Sequence, residues 1–201
     1  MDAERALALF KETGALLEGH FQLTSGLHSD QYFQCAKVLQ YPQHAELLCG
    51  EIAGHFMGQQ VEVVVAPALG GIVVGQEVGR QLRARTLFTE RKENAMQLRR
   101  GFEIRTGERV LVCEDVVTTG GSVSEVIRIV QQMGGRPVGV GFVVDRSGGR
   151  VKFDIGRGGD QFAVLHMDVM AYRPEECPLC RQKIPVVKPG SRGNTSMHVR
   201  S

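Results

Sequence analysis

Apolar positions in this chain fall into short dense runs and helical repeats that alternate along its length. Val61 to Ala66 (VEVVVA), Val110 to Cys113 and Pro137 to Asp145 (PVGVGFVVD) are rich in β-branched residues with few polar interruptions, the pattern of strands buried on both faces. Arg85 to Glu90 and Phe162 to Asp168 read as two further strands. Val123, Val126, Ile127 and Val130 recur at helical spacing until Gly134-Gly135 stops the repeat, and Pro42 opens another helix through Leu47, Leu48, Ile52 and Phe56. Residues 2–18 read as an amphipathic helix with Leu7, Leu9, Phe10, Leu16 and Leu17 on its apolar side. Alternation at Phe21 and Leu23, the Ser25-Gly26 turn and the pair Tyr32-Phe33 predict a hairpin, with His28 on the surface of its turn. Strands separated by helices predict an α/β fold, a doubly wound, largely parallel sheet flanked by helices, with ligands bound at the carboxyl ends of its strands.

One of those ends is chemically distinctive. After Val110–Cys113 come Glu114 and Asp115, then Val116-Val117, then Thr118-Thr119-Gly120-Gly121-Ser122, and only then the helix. A loop of hydroxyl and glycine residues opening a helix offers backbone N–H groups, hydroxyls and the positive end of the helix dipole to a phosphate. Two carboxylates beside such a pocket make sense when the ligand also carries hydroxyls or a metal, as a ribose phosphate does. The segment has no lysine after its second glycine, so it is not a Walker loop, and it is not a G-x-G-x-x-G turn. Singly, each residue has an ordinary reading, with Thr118 and Ser122 as helix caps and the acids solvated. All nine together at a strand's carboxyl end favour a binding site.

Glu114 to Ser122 resembles the phosphoribosyl-diphosphate signature of type I phosphoribosyltransferases. Within that family the resemblance is to the orotate enzymes and spans residues from about 20 to 168. It implies a small N-terminal hood over residues 1–40 of a single domain, 1–173, and a diphosphate-binding role for Glu114, Asp115, Val116, Val117, Thr118, Thr119, Gly120, Gly121 and Ser122. Thr24-Ser25-Gly26 with Ser29 and Tyr32 is similar to the family stretch whose aromatic pair, here Tyr32 and Phe33, lies against the pyrimidine. Pro67-Ala68-Leu69-Gly70-Gly71 repeats the strand-loop-helix layout, and the resemblance gives Gly70 and Gly71 a backbone contact with the pyrophosphate. Arg91 and Lys92 match the leading cations of the family's mobile lid and are the catalytic candidates, with Arg99 and Arg100 nearby. Arg146, following Asp145 at a strand end, suits bidentate capture of a carboxylate and with Thr118 would select orotate. The implied reaction transfers the phosphoribosyl group of 5-phosphoribosyl 1-diphosphate to orotate, giving orotidine 5'-phosphate and pyrophosphate. Mg²⁺ would be bound mainly through the diphosphate rather than through protein side chains, in a homodimer.

Composition narrows the setting. A chain of 201 residues with 42% hydrophobic content buries one good core, and a net charge of +2 is too small to point to nucleic acid. No run approaches the length of a membrane span. Five cysteines, an odd number without a secretory signal, fit a reducing cytoplasm. Residues 174–201, rich toward their end in Lys, Pro, Gly and Ser, are expected to form a mobile tail. Cys177-Pro-Leu-Cys180 within it is a lone CxxC, for which a four-ligand zinc site would need His166 or a second chain, so two free thiols are the expectation. Two rival functions remain, a relative using a purine or uracil, and a phosphoribosyl-diphosphate-sensing regulator that binds without turnover.

Overall fold

The computed structural model describes residues 1–23 and 25–189. Helix α1 (Ala3–Glu12) leads into strands β1 (Leu16–Gln22) and β2 (His28–Phe33), and then into helices α2 (Cys35–Leu39) and α3 (Pro42–Phe56). Strand β3 (Val63–Pro67), helix α4 (Gly70–Leu82) and strands β4 (Arg85–Lys92) and β5 (Ala95–Leu98) follow. The second half runs β6 (Arg109–Val117), α5 (Gly121–Gln132), β7 (Arg136–Asp145), β8 (Asp160–His166), the short β9 (Ala171–Tyr172) and α6 (Pro178–Arg181). Six strands form one sheet in the order β5-β4-β3-β6-β7-β8, parallel throughout except for β5, which runs antiparallel to β4.

Alternating side chains of the central strands feed a core on each face. Val64, Ala66, Leu111 and Cys113 pack with α3 and α4, whereas Val63, Val65, Val110 and Val112 pack with Val123, Val126, Ile127 and Val130 of α5. This two-sided burial is why the strands read as continuous apolar runs. On β7, a Cβ at Gly139 would overlap the Phe56 ring and one at Gly141 would overlap Ile52, so these glycines let α3 lie close against the sheet.

The first helix is shorter than the expected 2–18. Asp2 caps its start by accepting from the Arg5 N–H at 2.7 Å, and Gly14, at φ +62°, ends it with the Ala15 N–H bonded back to the Phe10 carbonyl at 2.8 Å. Leu16 and Leu17 therefore belong to β1, which pairs with β2 as the expected hairpin, and β2 pairs in turn with β9 to complete a three-stranded hood sheet. The loop expected around Arg91 to Arg100 is largely a second hairpin, β4–β5, turning at Glu93 and Asn94, both with positive φ as a two-residue I′ turn requires.

Nor is the tail free over its described part. Val187 bridges to Phe21 of the hood, with the Val187 N–H donating to the His20 carbonyl and the Gln22 N–H to the Val187 carbonyl, both at 2.8 Å. Cys177 is fully buried. Residues 190–201, and Thr24 of the hood motif, lie outside the described residues.

Replacing Gly139 by Ala forces Phe56 or the β7 backbone to move. We expect a loss of about 1–3 kcal/mol, read as a lower urea midpoint with an unchanged denaturant slope.

Candidate functional site

Strands β3 and β6 are parallel neighbours, pairing Val63 with Val110 and Val65 with Val112. From β3 the chain passes through α4 to β4 on one side, while from β6 it passes through α5 to β7 on the other. The order therefore reverses between them, and the two following loops open onto one crevice at the carboxyl edge of the sheet. Both glycine-bearing segments singled out in the sequence lie at this crevice.

Glu114 and Asp115, expected just past the end of a strand closing at Cys113, lie within β6, which continues to Val117. Glu114 Oε1 accepts the Asp115 N–H at 3.0 Å, and Asp115 Oδ1 accepts the Val116 N–H at 2.9 Å. Their side chains lie against the start of α4. A Cβ at Gly70 would fall on the Asp115 carboxylate, and one at Gly71 would sit 3.0 Å from Glu114 Oε1. Gly70 and Gly71 thus make the room the acids occupy, and the two loops meet through that contact. Burial, reinforced by the negative charge of Asp115, pushes the Glu114 carboxyl well above the usual carboxylate range and favours its protonated, donor form.

Beyond the acids, Val116 to Val123 with Glu114 line an open pocket. Gly120 begins α5 at φ +73°, and a Cβ there would lie 2.7 Å from Val151 Cγ1 and 2.8 Å from Phe153 Cε1. Only glycine combines that left-handed backbone with that closeness. The result is a turn in which the first N–H groups of α5 face the pocket, together with the side chains of Thr118, Thr119 and Ser122.

Arg146 follows β7, one strand over, with its backbone N–H on the Val117 carbonyl at 2.8 Å. It is not the solvated partner of Asp145. The side chain is buried, its Nη2 reaches Ser29 Oγ at 3.4 Å and the Gln31 carbonyl at 3.2 Å, and its Nε has no hydrogen-bond partner. No carboxylate pairs with it among the described residues. A buried cation with an unused donor is costly unless a ligand supplies the anion. Asp145 is spent elsewhere, accepting from Ser147 N and Oγ at 2.7 Å, Gly149 N at 2.8 Å and His166 Nδ1 at 3.1 Å. Burial alone would raise its carboxyl, but these hydrogen bonds outweigh it and hold the group below its ordinary value.

The hood covers this corner through β2. Tyr32 is half-buried, and burial and the Asp115 charge push its phenol up against the opposing pull of Arg146. Phe33, its neighbour in the strand, points the other way and is buried edge-to-face on Phe10 at 5.5 Å. Successive strand residues face opposite sides, so the expected aromatic pair supplies one site residue and one core residue. Ser29, read in the sequence only as a member of the hood motif, and Gln31, which the sequence reading did not single out, both touch Arg146; their period-two spacing after the Ser25-Gly26 turn was the available signal.

Of the lid cations, Arg91 is engaged, donating to Glu125 Oε1 on α5 and to the Asn94 carbonyl, each at 2.7 Å. Arg99 and Arg100 both pair with Glu90, at 3.3 and 3.1 Å. Lys92 is exposed at the hairpin tip, 4.0 Å from Glu93. The sequence did not point to Glu125, which ties the hairpin to the helix behind the Thr118–Ser122 loop.

With this geometry in place, comparison with known proteins is informative. Residues 37–156 match the model of the phosphoribosyl transferase domain. An orotate phosphoribosyltransferase of Chlorobium phaeobacteroides is 55% identical over 194 residues, covering 96% of this chain and 98% of its own, and one of Caldicellulosiruptor bescii is 53% identical over 96% and 99%. Among solved structures, the orotate phosphoribosyltransferase of Mycobacterium tuberculosis H37Rv in complex with inorganic phosphate aligns with TM-score 0.62 and 26% identity over 82% of this chain and 95% of that one. An adenine phosphoribosyltransferase of Rhodothermus marinus aligns with TM-score 0.66 at 22% identity over 81% and 99%. The fold is thus shared by enzymes for different bases, while the relatives above 50% identity are orotate phosphoribosyltransferases.

Glu114 and Asp145 should move stability with pH in opposite directions. Glu114 has a raised folded pKa, so its contribution is full in acid and fades as pH rises through that value. Glu114→Gln should accordingly gain stability over the parent as pH is raised. Asp145 has a lowered folded pKa, so its contribution is present above the unfolded value and fades as pH falls. Asp145→Asn should cost about 1–3 kcal/mol near neutrality, with the gap closing in acid. Urea unfolding at several pH values checks both signs.

Proposed function

The chain belongs to the phosphoribosyl transferase family, and we propose that this site transfers the phosphoribosyl group of 5-phosphoribosyl 1-diphosphate to orotate, releasing pyrophosphate and forming orotidine 5'-phosphate, a step of pyrimidine synthesis. The carrying observation is the buried Arg146, with an unused donor and no acid partner, beside the acid pair and the glycine loop. A carboxylated pyrimidine supplies the anion it lacks, which adenine, hypoxanthine and uracil do not.

In this reading the 5'-phosphate sits on the N–H groups and hydroxyls of Thr118, Thr119, Gly120, Gly121 and Ser122. Asp115, with Glu114 as donor, takes the ribose hydroxyls. The Gly70-Gly71 backbone faces the diphosphate, and Lys92 closes from the hairpin onto the leaving pyrophosphate. Arg146 and Thr118 orient orotate beneath Tyr32. Arg91 braces the hairpin on Glu125 and acts on the lid rather than on the reacting atoms. As the bond to pyrophosphate breaks, positive charge grows on the ribose, and the carboxylate of Asp115 lies where that charge is balanced. No covalent intermediate is required; the barrier falls through positioning and charge balance.

Mg²⁺ fits this site. It prefers oxygen ligands and substrate phosphates, and the Asp115 carboxylate, against the Gly70 backbone, is the side chain that would stand beside it, directly or through water. When bound, the ion would neutralise part of the diphosphate charge. Five cysteines outside any disulfide fit a reducing cytoplasm, no helix among the described residues is long and apolar enough to cross a membrane, and the family resemblance implies a homodimer.

Loss of orotate absorbance on mixing the protein with phosphoribosyl diphosphate and Mg²⁺ tests the reaction, with uracil, hypoxanthine and adenine as parallel acceptors. Turnover is expected with orotate alone; turnover with another base would remove the assignment of Arg146. Arg146→Met should lower kcat/KM for orotate about 10²-fold or more, with a smaller effect on the KM for phosphoribosyl diphosphate. Lys92→Ala should lower kcat by about 10²-fold at unchanged Tm.

A further inference from the structure

Apart from the crevice, four side chains with metal-ligating atoms converge. His20 of β1, His28 at the start of β2, and Cys177 and Cys180 around the start of α6 bring one ligand atom each to within 4.8 Å of all the others. His20 Nε2 lies 2.8 Å from His28 Nδ1, 3.5 Å from Cys177 Sγ and 3.7 Å from Cys180 Sγ, and Cys180 Sγ lies 3.3 Å from His28 Nδ1. His28 is thus neither on the surface nor idle, and the partners of the CxxC come from this chain's own hood rather than from His166 or a second chain.

The tautomer of His20 is fixed by its neighbour. Nδ1 lies 2.7 Å from the Ile184 carbonyl, which only accepts, so the ring proton is on Nδ1 and the Nε2 lone pair points into the cluster. An imidazole whose other nitrogen is bonded to a carbonyl is the usual arrangement of a histidine ligand. Without a cation, one buried knot crowds two imidazole nitrogens and two sulfurs against one another. With one, each lone pair has a use. Tetrahedral zinc, with bonds of about 2.0–2.3 Å to nitrogen and sulfur, places its ligand atoms about 3.3–3.8 Å apart, a spacing the cluster reaches when the histidine pair opens from 2.8 Å and the widest pairs, no more than 4.8 Å apart, draw in. Two thiolates balance the charge of a divalent ion. All four positions are filled by protein, and three of the four residues are buried, so the site is closed and structural rather than catalytic.

We propose that His20, His28, Cys177 and Cys180 bind one zinc ion per chain, and that this ion fastens the C-terminal segment to the hood. Its consequence is architectural. The segment carrying the cysteines continues to Val187, which hydrogen-bonds across β1, and the strand carrying His28 also carries the Ser29, Gln31 and Tyr32 that roof Arg146. The ion would couple folding of the tail to the shape of the base-binding corner.

The full-length protein, purified under reducing conditions without a metal-affinity tag, should contain one equivalent of zinc by elemental analysis. Cys180→Ser and His28→Asn should each bring the content near zero, whereas Cys49→Ser, at a buried thiol elsewhere, should leave it at one. Protein stripped of metal by a strong chelator should take up one equivalent of Co²⁺ with thiolate charge-transfer absorption and intense visible bands, and its Tm should rise when zinc is returned. Absence of zinc in the parent together with no Co²⁺ spectrum would overturn the proposal. So would iron in place of zinc, a Cys177–Cys180 disulfide in the freshly reduced protein, or zinc retained at full stoichiometry in both ligand variants.

Discussion

Close contact between two carboxylates and two glycines at the sheet's switch point governs the arrangement of everything around it. Asp115 and Glu114 come from the end of β6, and Gly70 and Gly71 open α4 after β3, so the contact exists only because those strands are parallel neighbours whose helices leave on opposite faces. No side chain larger than hydrogen fits at Gly70 without displacing the acid. The glycines therefore leave space for the carboxylates, and in the proposed reading their bare backbone also faces the diphosphate. The two loops consequently form one surface, which a ligand with a phosphate, hydroxyls and a diphosphate can span.

Electrostatics divides the crevice. On the acid side, Glu114 is buried beside Asp115 and is driven toward its protonated form, so two neighbouring carboxyl groups need not carry two charges. Toward β7, Arg146 is kept apart from acids because Asp145, the nearest in sequence, is consumed by the turn that follows it. A cation held under the hood with its donors partly unspent is an unfavourable arrangement for folding and a favourable one for capturing an anion. The cation stands at the corner where hood and sheet meet, so the hood, with the tail bonded to it, shapes the space around Arg146.

Much of this was legible along the chain. The two-sided burial of β3, β6 and β7 gave each a continuous β-branched run, and the strand, acid pair, glycine loop and helix of 110–130 are local in sequence, so periodicity and turn chemistry were enough to read them. Arg146 could be read because it follows a strand directly. By contrast, the β4–β5 hairpin was hidden because its turn residues, Glu93 and Asn94, lack the glycine that marks most I′ turns, and the first helix was overextended because Leu16 and Leu17 continue its apolar spacing past Gly14.

The sequence by itself determined the alternation of elements and the chemical identity of the phosphate loop, since both depend on residues within one or two turns of each other. Tertiary structure alone decided which groups are free and which are spent. Arg91 is tied to Glu125 on a helix 34 residues away, Phe33 is turned into the core while Tyr32 faces the site, and two histidines of the hood meet two cysteines more than 150 residues later. Such pairings are set by where a right-handed parallel sheet returns its strands and by which face a strand turns inward, and no local spacing encodes either.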